Sequence, residues 1–173
     1  MIKIPCMPLS LEAMQGLGSF RNLTCPEGFA MGQEPVVFYR DMLWNTFGTT
    51  GEAAFSVVQT RSRPLVVTEM EQHLYTAEAL LPLDGDVVVC VGAATNRTMP
   101  DAWRAFYVPK GTMVIFDRGV WHKAPFPVNQ KTVHSLVVLP PMTYAKDCYV
   151  LSLAEADTVV MELPNMDIIR TRG

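Results

Sequence analysis

The chain has 173 residues and a mass of 19.2 kDa, a length that accommodates one domain and excludes a second of enzyme size. Apolar residues make up 49% and charged residues 18%, which provides a substantial core and too little charge for a disordered chain. A net charge of -3 leaves no global positive field to attract a phosphate backbone, so nucleic acid is excluded as the expected partner.

In chain order, the start Met1-Ile2-Lys3-Ile4-Pro5 lacks the basic-then-apolar layout of a secretion signal. No apolar run approaches the roughly 18 residues of a membrane-spanning helix. A soluble, cytoplasmic protein without a membrane partner is expected. Residues 7–18 predict a short helix, with Ser10 at the N-cap and a glycine after the last turn. Residues 19–35, rich in Gly, Pro and Asn, predict a surface loop.

From residue 36 the texture changes to short runs rich in Val, Phe, Tyr, Ile and Thr. They are Val36 to Arg40, Ala54 to Arg61, Leu65 to Glu71, Ala79 to Leu83, Asp86 to Val91, Arg104 to Val108, Thr112 to Phe116, Thr132 to Leu139, Tyr149 to Leu153 and Val159 to Leu163. Turn signals such as Asp84-Gly85-Asp86 and Pro109-Lys110-Gly111 separate them. Close-spaced strands of this kind describe an antiparallel barrel or two-sheet sandwich. The chain therefore divides into an N-terminal helix and loop (1–35), a barrel (36–163) and a polar tail (164–173) within one domain. The four cysteines, Cys6, Cys25, Cys90 and Cys148, form no C-x-x-C pair and are expected as reduced thiols.

Only three histidines are present, His73, His122 and His134, so any metal or acid-base site draws on a small pool. The period of two places Glu69, Glu71 and His73 on one strand face, together with Leu65 and Val67, which are read as core-directed. Inward ionisable groups imply mutual pairing, a metal or a wet cavity, because burying them alone costs several kcal/mol by order of magnitude. Glu69 reads as structural, pairing an arginine, and His134 as a core or rim residue. A small carboxylate substrate needs a counter-charge, for which Arg61, Arg63 and Arg104 are the candidates and Arg40 a weaker one.

Glu71-x-His73 is followed by Glu78 and Gly85, and downstream Gly111 by Asp117-x-Gly119-x-x-His122. This pattern resembles the paired motifs of the cupin superfamily, in which a His-x-His, a Glu, a Gly and a second-motif His converge on one metal in a small barrel. Glu71 stands where the first histidine would be, and Asp117 replaces a proline. A closer resemblance is to the ureidoglycolate lyase family. It rests on Pro8-Leu9-Ser10-x-Glu12-Ala13, on Pro64-Leu65 with Glu69-x-Glu71-x-His73, and on Arg104-Ala105-Phe106 with Gly119-Val120-Trp121-His122 and Phe126. It covers roughly residues 7 to 139, with departures at Thr68, Leu74, Glu78 and Lys123.

The resemblance implies a cupin-type, jelly-roll-like barrel that cleaves ureidoglycolate to glyoxylate and urea; its strand edges are expected to be protected by pairing in a homodimer. It implies a metal held by His73, Glu78 and His122, with Glu71 as a further ligand or the base. Catalytic roles fall to Glu71, His73 and His122. Manganese, iron, nickel and zinc all suit such ligands, and a site that works without metal stands as the alternative. Two other readings stand beside it: a metal cupin acting on another small hydroxy or keto acid, and a small-molecule-binding cupin without turnover.

Overall fold

The computed structural model describes residues 1–48, 50–95 and 102–163. Its elements are β1 (Ile2–Pro8), β2 (Gly18–Asn22), β3 (Ala30–Gln33), β4 (Val36–Tyr39), β5 (Ala54–Arg61), β6 (Val66–Val67), β7 (Glu69–Gln72), β8 (Glu78–Pro82) and β9 (Val87–Gly92). They continue with β10 (Arg104–Val108), β11 (Thr112–Phe116), β12 (Trp121–His122), β13 (Phe126–Pro127), β14 (Thr132–Leu139), α1 (Thr143–Lys146), β15 (Tyr149–Ser152) and β16 (Val159–Glu162). The fold is nearly all-β, as the recurring β-branched runs dictate. The polar tail expected over 164–173 lies outside the described residues.

One curled sheet runs β15-β7-β12-β9-β10-β1-β16-β6, with β13 also on β9, and a second runs β2-β11-β8-β14-β5. At the centre of the first lies β9, a Val-rich strand buried along its whole length. Such a strand reads as a continuous apolar run because both of its faces are covered. Val87, Val89 and Val91 point between the sheets, where they meet Leu80, Phe106, Val114, Phe116 and Val133. Val88 and Cys90 point the other way, into a second cluster with Met70, Trp103, Trp121, Phe126 and Val159. Burying each of these large side chains contributes about 1.5–3 kcal/mol relative to exposure.

The structure departs from the sequence expectations at several places. The surface loop expected over 19–35 holds most of β2, which pairs with β11, and all of β3, which pairs with β4; strand partners far along the chain override its turn-forming composition. Residues 11–17 form consecutive turns rather than a helix. Ser10 Oγ does accept the Ala13 amide at 3.1 Å, as an N-cap would. The segment then turns at Gly16, whose φ is +74°, and enters β2 at Gly18, whose φ is +144°. Left-handed glycines after a single turn stop helix propagation before it repays nucleation. Met14 and Leu17 instead plug the core between the sheets.

A further correction concerns β1, which the sequence reading missed. It pairs parallel with both β10 and β16, so among the described residues the sheets are antiparallel except along this strand. Pro5 and Pro8 hide it, since proline is read as a strand breaker although it tolerates the non-donating positions of a ladder.

The strand expected over 65–71 is likewise broken, into β6 and β7. Val67 and Met70 fall in the same apolar cluster although three residues separate them in number. The break at Thr68 therefore shifts the alternation, and Val67 does not share the face of Glu71 and His73.

Candidate active site

Three elements bring the site together. β7 carries Glu71 and leads into His73, β8 begins with Glu78, and β12 supplies His122. His122 lies directly opposite Glu71 in the β12–β7 ladder, so both side chains emerge on the same face. Gly119 sets the approach: its φ of +75° makes the turn into β12, and its amide donates to the His73 carbonyl at 2.6 Å. The two sequence motifs are thus joined by main chain. Gly111, at φ +80°, donates its amide to the Pro82 carbonyl at 3.0 Å and turns the chain into β11.

Among the described residues, His73, Glu78 and His122 form one group of side chains able to hold a metal ion, with ligand atoms all within 4.8 Å of one another. All three are buried, at 5%, 7% and 3% exposure. Glu78 Oε2 lies 3.2 Å from His73 Nε2 and 3.4 Å from His122 Nε2. The other nitrogen of each ring faces a carbonyl: His73 Nδ1 donates to Asp147 O at 2.5 Å and His122 Nδ1 to Val120 O at 3.0 Å. A carbonyl only accepts, so both protons sit on Nδ1 and both Nε2 lone pairs turn toward Glu78 when the rings are neutral. His122 Nε2 is buried without a hydrogen-bond partner. Two imidazole lone pairs and a carboxylate oxygen, one of the nitrogens unsatisfied, fit a divalent first-row cation.

With no cation the same atoms share a proton. Burial would push the His122 imidazole down, but the Glu78 carboxylate, with help from Glu71, raises it to about 9. Burial would push the Glu78 carboxyl up, but the two histidines hold it at about 2. Phe116 stacks on His122, with ring centroids 5.0 Å apart, and gives this polar group an apolar wall.

Glu71 is half-buried, and its Oε2 accepts the Cys148 thiol at 3.6 Å. Burial, then Glu71, pushes that thiol up to about 11, which keeps it a protonated donor. A cleft of about 270 Å³ adjoins the turn after His73 and is lined in part by Tyr75, Thr76, Thr143, Lys146 and Asp147. His73, Glu78 and His122 do not line it.

The candidate arginines lie elsewhere. Arg63 donates Nη2 to the Ala124 carbonyl at 2.9 Å and lies over the Phe126 ring at 3.8 Å. Arg104 donates to the Ala13 carbonyl at 2.5 Å and ties down the turns after β1. Arg61 is exposed at the end of β5, opposite Thr132. Glu69, on the strand that carries Glu71, pairs with Lys123 and not with the expected arginine. His134 is a rim residue held by Asp84 at 2.6 Å and Gln59 at 2.8 Å. Asp147 and Cys148 were missed, because contacts to residues 74 and 77 positions away leave no local signal.

These features define a small two-sheet β protein with a buried His-Glu-His cluster beneath a half-buried glutamate. The chain belongs to the ureidoglycolate lyase family, whose model, described as ureidoglycolate lyase, matches residues 1–160. The match thus reaches beyond the 7–139 recognised in the sequence and takes in α1, β15 and the start of β16.

A ureidoglycolate lyase from Rhodobacter capsulatus is 28% identical over 133 residues, covering 75% of this chain and 82% of that one. One from Escherichia coli O1:K1 is 28% identical over 129 residues, covering 72% and 80%. Among solved structures, a dTDP sugar isomerase from Desulfovibrio desulfuricans G20 superposes with a TM-score of 0.48 at 11% identity, over 82% of this chain and 85% of that one. Oxalate decarboxylase from Bacillus subtilis superposes with a TM-score of 0.43 at 19% identity, over 58% and 24%. At these scores neither likeness bears on function.

Proposed function

We propose that this chain is a ureidoglycolate lyase of the cupin type, cleaving ureidoglycolate to glyoxylate and urea. The observation that carries the reading is the convergence of His73, Glu78 and His122 beside Glu71 in a chain of this family. In the reaction the substrate hydroxyl loses its proton, its oxygen becomes the glyoxylate carbonyl, and the carbon–nitrogen bond breaks. The departing urea nitrogen takes up a proton. No oxidant or water is consumed.

Glu71 is the base in this account. It is half-buried opposite His122 in the ladder, and the Cys148 thiol orients one of its oxygens. It takes the hydroxyl proton and returns it to the urea nitrogen. His73, Glu78 and His122 would hold a divalent ion, drawn from manganese, iron, nickel and zinc, which supplies Lewis acidity toward the substrate's oxygens. Phe116 keeps water from the far side of His122. Arg63 and Arg104 are occupied by main-chain carbonyls and Lys123 by Glu69, which leaves the exposed Arg61 as the candidate cation for the substrate carboxylate.

A second copy of the chain is the proposed partner. What supports it is β5, an eight-residue strand at the edge of its sheet that exposes Phe55 and Val57, since an unprotected edge of this kind invites pairing. The readings as a different hydroxy- or keto-acid enzyme or as a binding module gain nothing from the relatives, which are named as lyases. The test is equimolar release of glyoxylate and urea from racemic ureidoglycolate above the spontaneous rate. No release with any of the four metals would remove the lyase reading.

A further inference from the structure

His73 is oriented from a distant part of the chain. Its Nδ1 donates to the main-chain carbonyl of Asp147 at 2.5 Å, across 74 positions of sequence. The Asp147 carboxylate also closes on the turn that follows His73. Oδ1 accepts the Leu74 amide at 2.8 Å and Oδ2 accepts the Tyr75 amide at 2.9 Å. One residue thus makes three hydrogen bonds to three consecutive residues, with its carbonyl setting the ring and its side chain setting the backbone that carries the ring.

Asp147 is itself fixed from both sides. Its amide donates to Thr143 O at 2.8 Å and closes the single turn of α1, and buried Thr143 donates its hydroxyl to Pro140 O at 2.7 Å. On the other side, β15 begins two residues later and pairs with β7, Tyr149 opposite Gln72. A residue held by a helical turn and a strand ladder has little freedom to follow a wandering imidazole, so the imidazole follows it.

We propose that Asp147 is a positioning residue of the site: it fixes His73 in the Nδ1-protonated tautomer and aims Nε2 at Glu78. The role belongs to the outer partners of a ligating histidine, whose loss typically weakens metal binding about 10- to 100-fold. The inference rests on reading His73, Glu78 and His122 as a cation site. It assigns a function to the segment between β14 and β15, for which the sequence reading had none.

The test uses the full chain stripped of metal, with Co2+ as the probe. Binding is followed by visible absorption, and the imidazole tautomers by proton–nitrogen correlation spectra. Asp147→Ala keeps the main-chain carbonyl but removes both carboxylate acceptors that hold the Leu74 and Tyr75 amides, so it is expected to let the His73 backbone drift from that carbonyl, to weaken Co2+ binding about 10- to 100-fold and to lower the share of the Nδ1–H tautomer of His73, while His122 keeps its own. Asp147→Asn retains one acceptor for two amides and is expected to fall between. Thr143→Ala loosens α1 but leaves Asp147 its acceptors, and is expected to lower the denaturation midpoint without moving the His73 tautomer.

Asp147→Ala with the Co2+ affinity and His73 tautomer of the parent would overturn the proposal. If that variant does not fold, Asp147→Asn matching the parent in both readouts would overturn it equally. A parent that binds no Co2+ would end the cation reading, and the tautomer alone would then decide for or against Asp147. A parent without lyase activity whose variants still behave as stated would end the proposed reaction and leave the role of Asp147 standing.

Discussion

Glu71 and His122 face each other across one rung of a ladder, and exposure separates their parts. His122 is buried against a carboxylate that raises its pKa; Glu71 is only half-buried. Replacing Glu71 with Gln keeps the shape and an acceptor for the Cys148 thiol but removes the base. Glu71→Gln is expected to lower kcat by about 10²–10⁴-fold with KM changed far less, as read from glyoxylate release. A kcat within twofold of the parent would remove Glu71 from proton transfer.

The buried pair also predicts how the metal-free protein responds to pH. His122 is raised from an ordinary 6.5 to about 9, so its stabilising charge is fully present below 6.5 and is lost as pH rises through 9. Glu78 is depressed from 4.5 to about 2, so its contribution is present above 4.5 and is lost as pH falls through 2. Thermal scans of the chelated protein should show Tm highest between those ordinary values and falling on either side. Glu78→Gln should flatten the alkaline fall, and an unchanged fall would contradict the pairing.

Residues were legible where spacing carried them. His73, Glu78 and His122 were each singled out from motif register. The arginines were assigned from the needs of a substrate, and nothing in sequence reveals that Arg63 and Arg104 spend their donors on main-chain carbonyls.

At the level of elements, the ladder and its turns set the geometry of the site. Gly119 combines a φ of +75° with a Cβ position 3.2 Å from the Ala94 Cβ. Gly119→Ala is therefore expected to cost about 1–3 kcal/mol, read from urea denaturation, and to weaken Co2+ binding because the Gly119–His73 hydrogen bond aligns the two motifs. A stability within 0.5 kcal/mol of the parent, on the order of ordinary surface substitutions, would show that the turn tolerates a side chain.

The strands richest in β-branched residues were readable to within a residue or two, β5, β10, β11 and β14 at their observed bounds. What escaped was what tertiary context decides. β1 is a strand because β10 and β16 flank it, β12 and β13 are two-residue pairings on β9, and Thr68 breaks a run that periodicity alone joins.

For the whole molecule, the account expects two copies. Sedimentation of the parent should give about twice 19.2 kDa, and Val57→Lys, which places a charge on the exposed face of an edge strand, should give a monomer. A monomeric parent at micromolar concentration would contradict the assembly while leaving the site intact. The all-β class was legible because texture and turn spacing persist along the chain. The way the sheets close on the site was not, since Glu78 and His122 meet only through the packing of β8 and β12 on one core.

The most direct measurement is the rate of glyoxylate and urea release from racemic ureidoglycolate by the parent and by His122→Ala, each after chelation and after adding back single divalent metals. The account predicts equimolar products from the parent, a loss on chelation that one metal reverses, and no recovery in His122→Ala. Equal rates from parent and variant, or no release above the spontaneous rate with any metal, would contradict it.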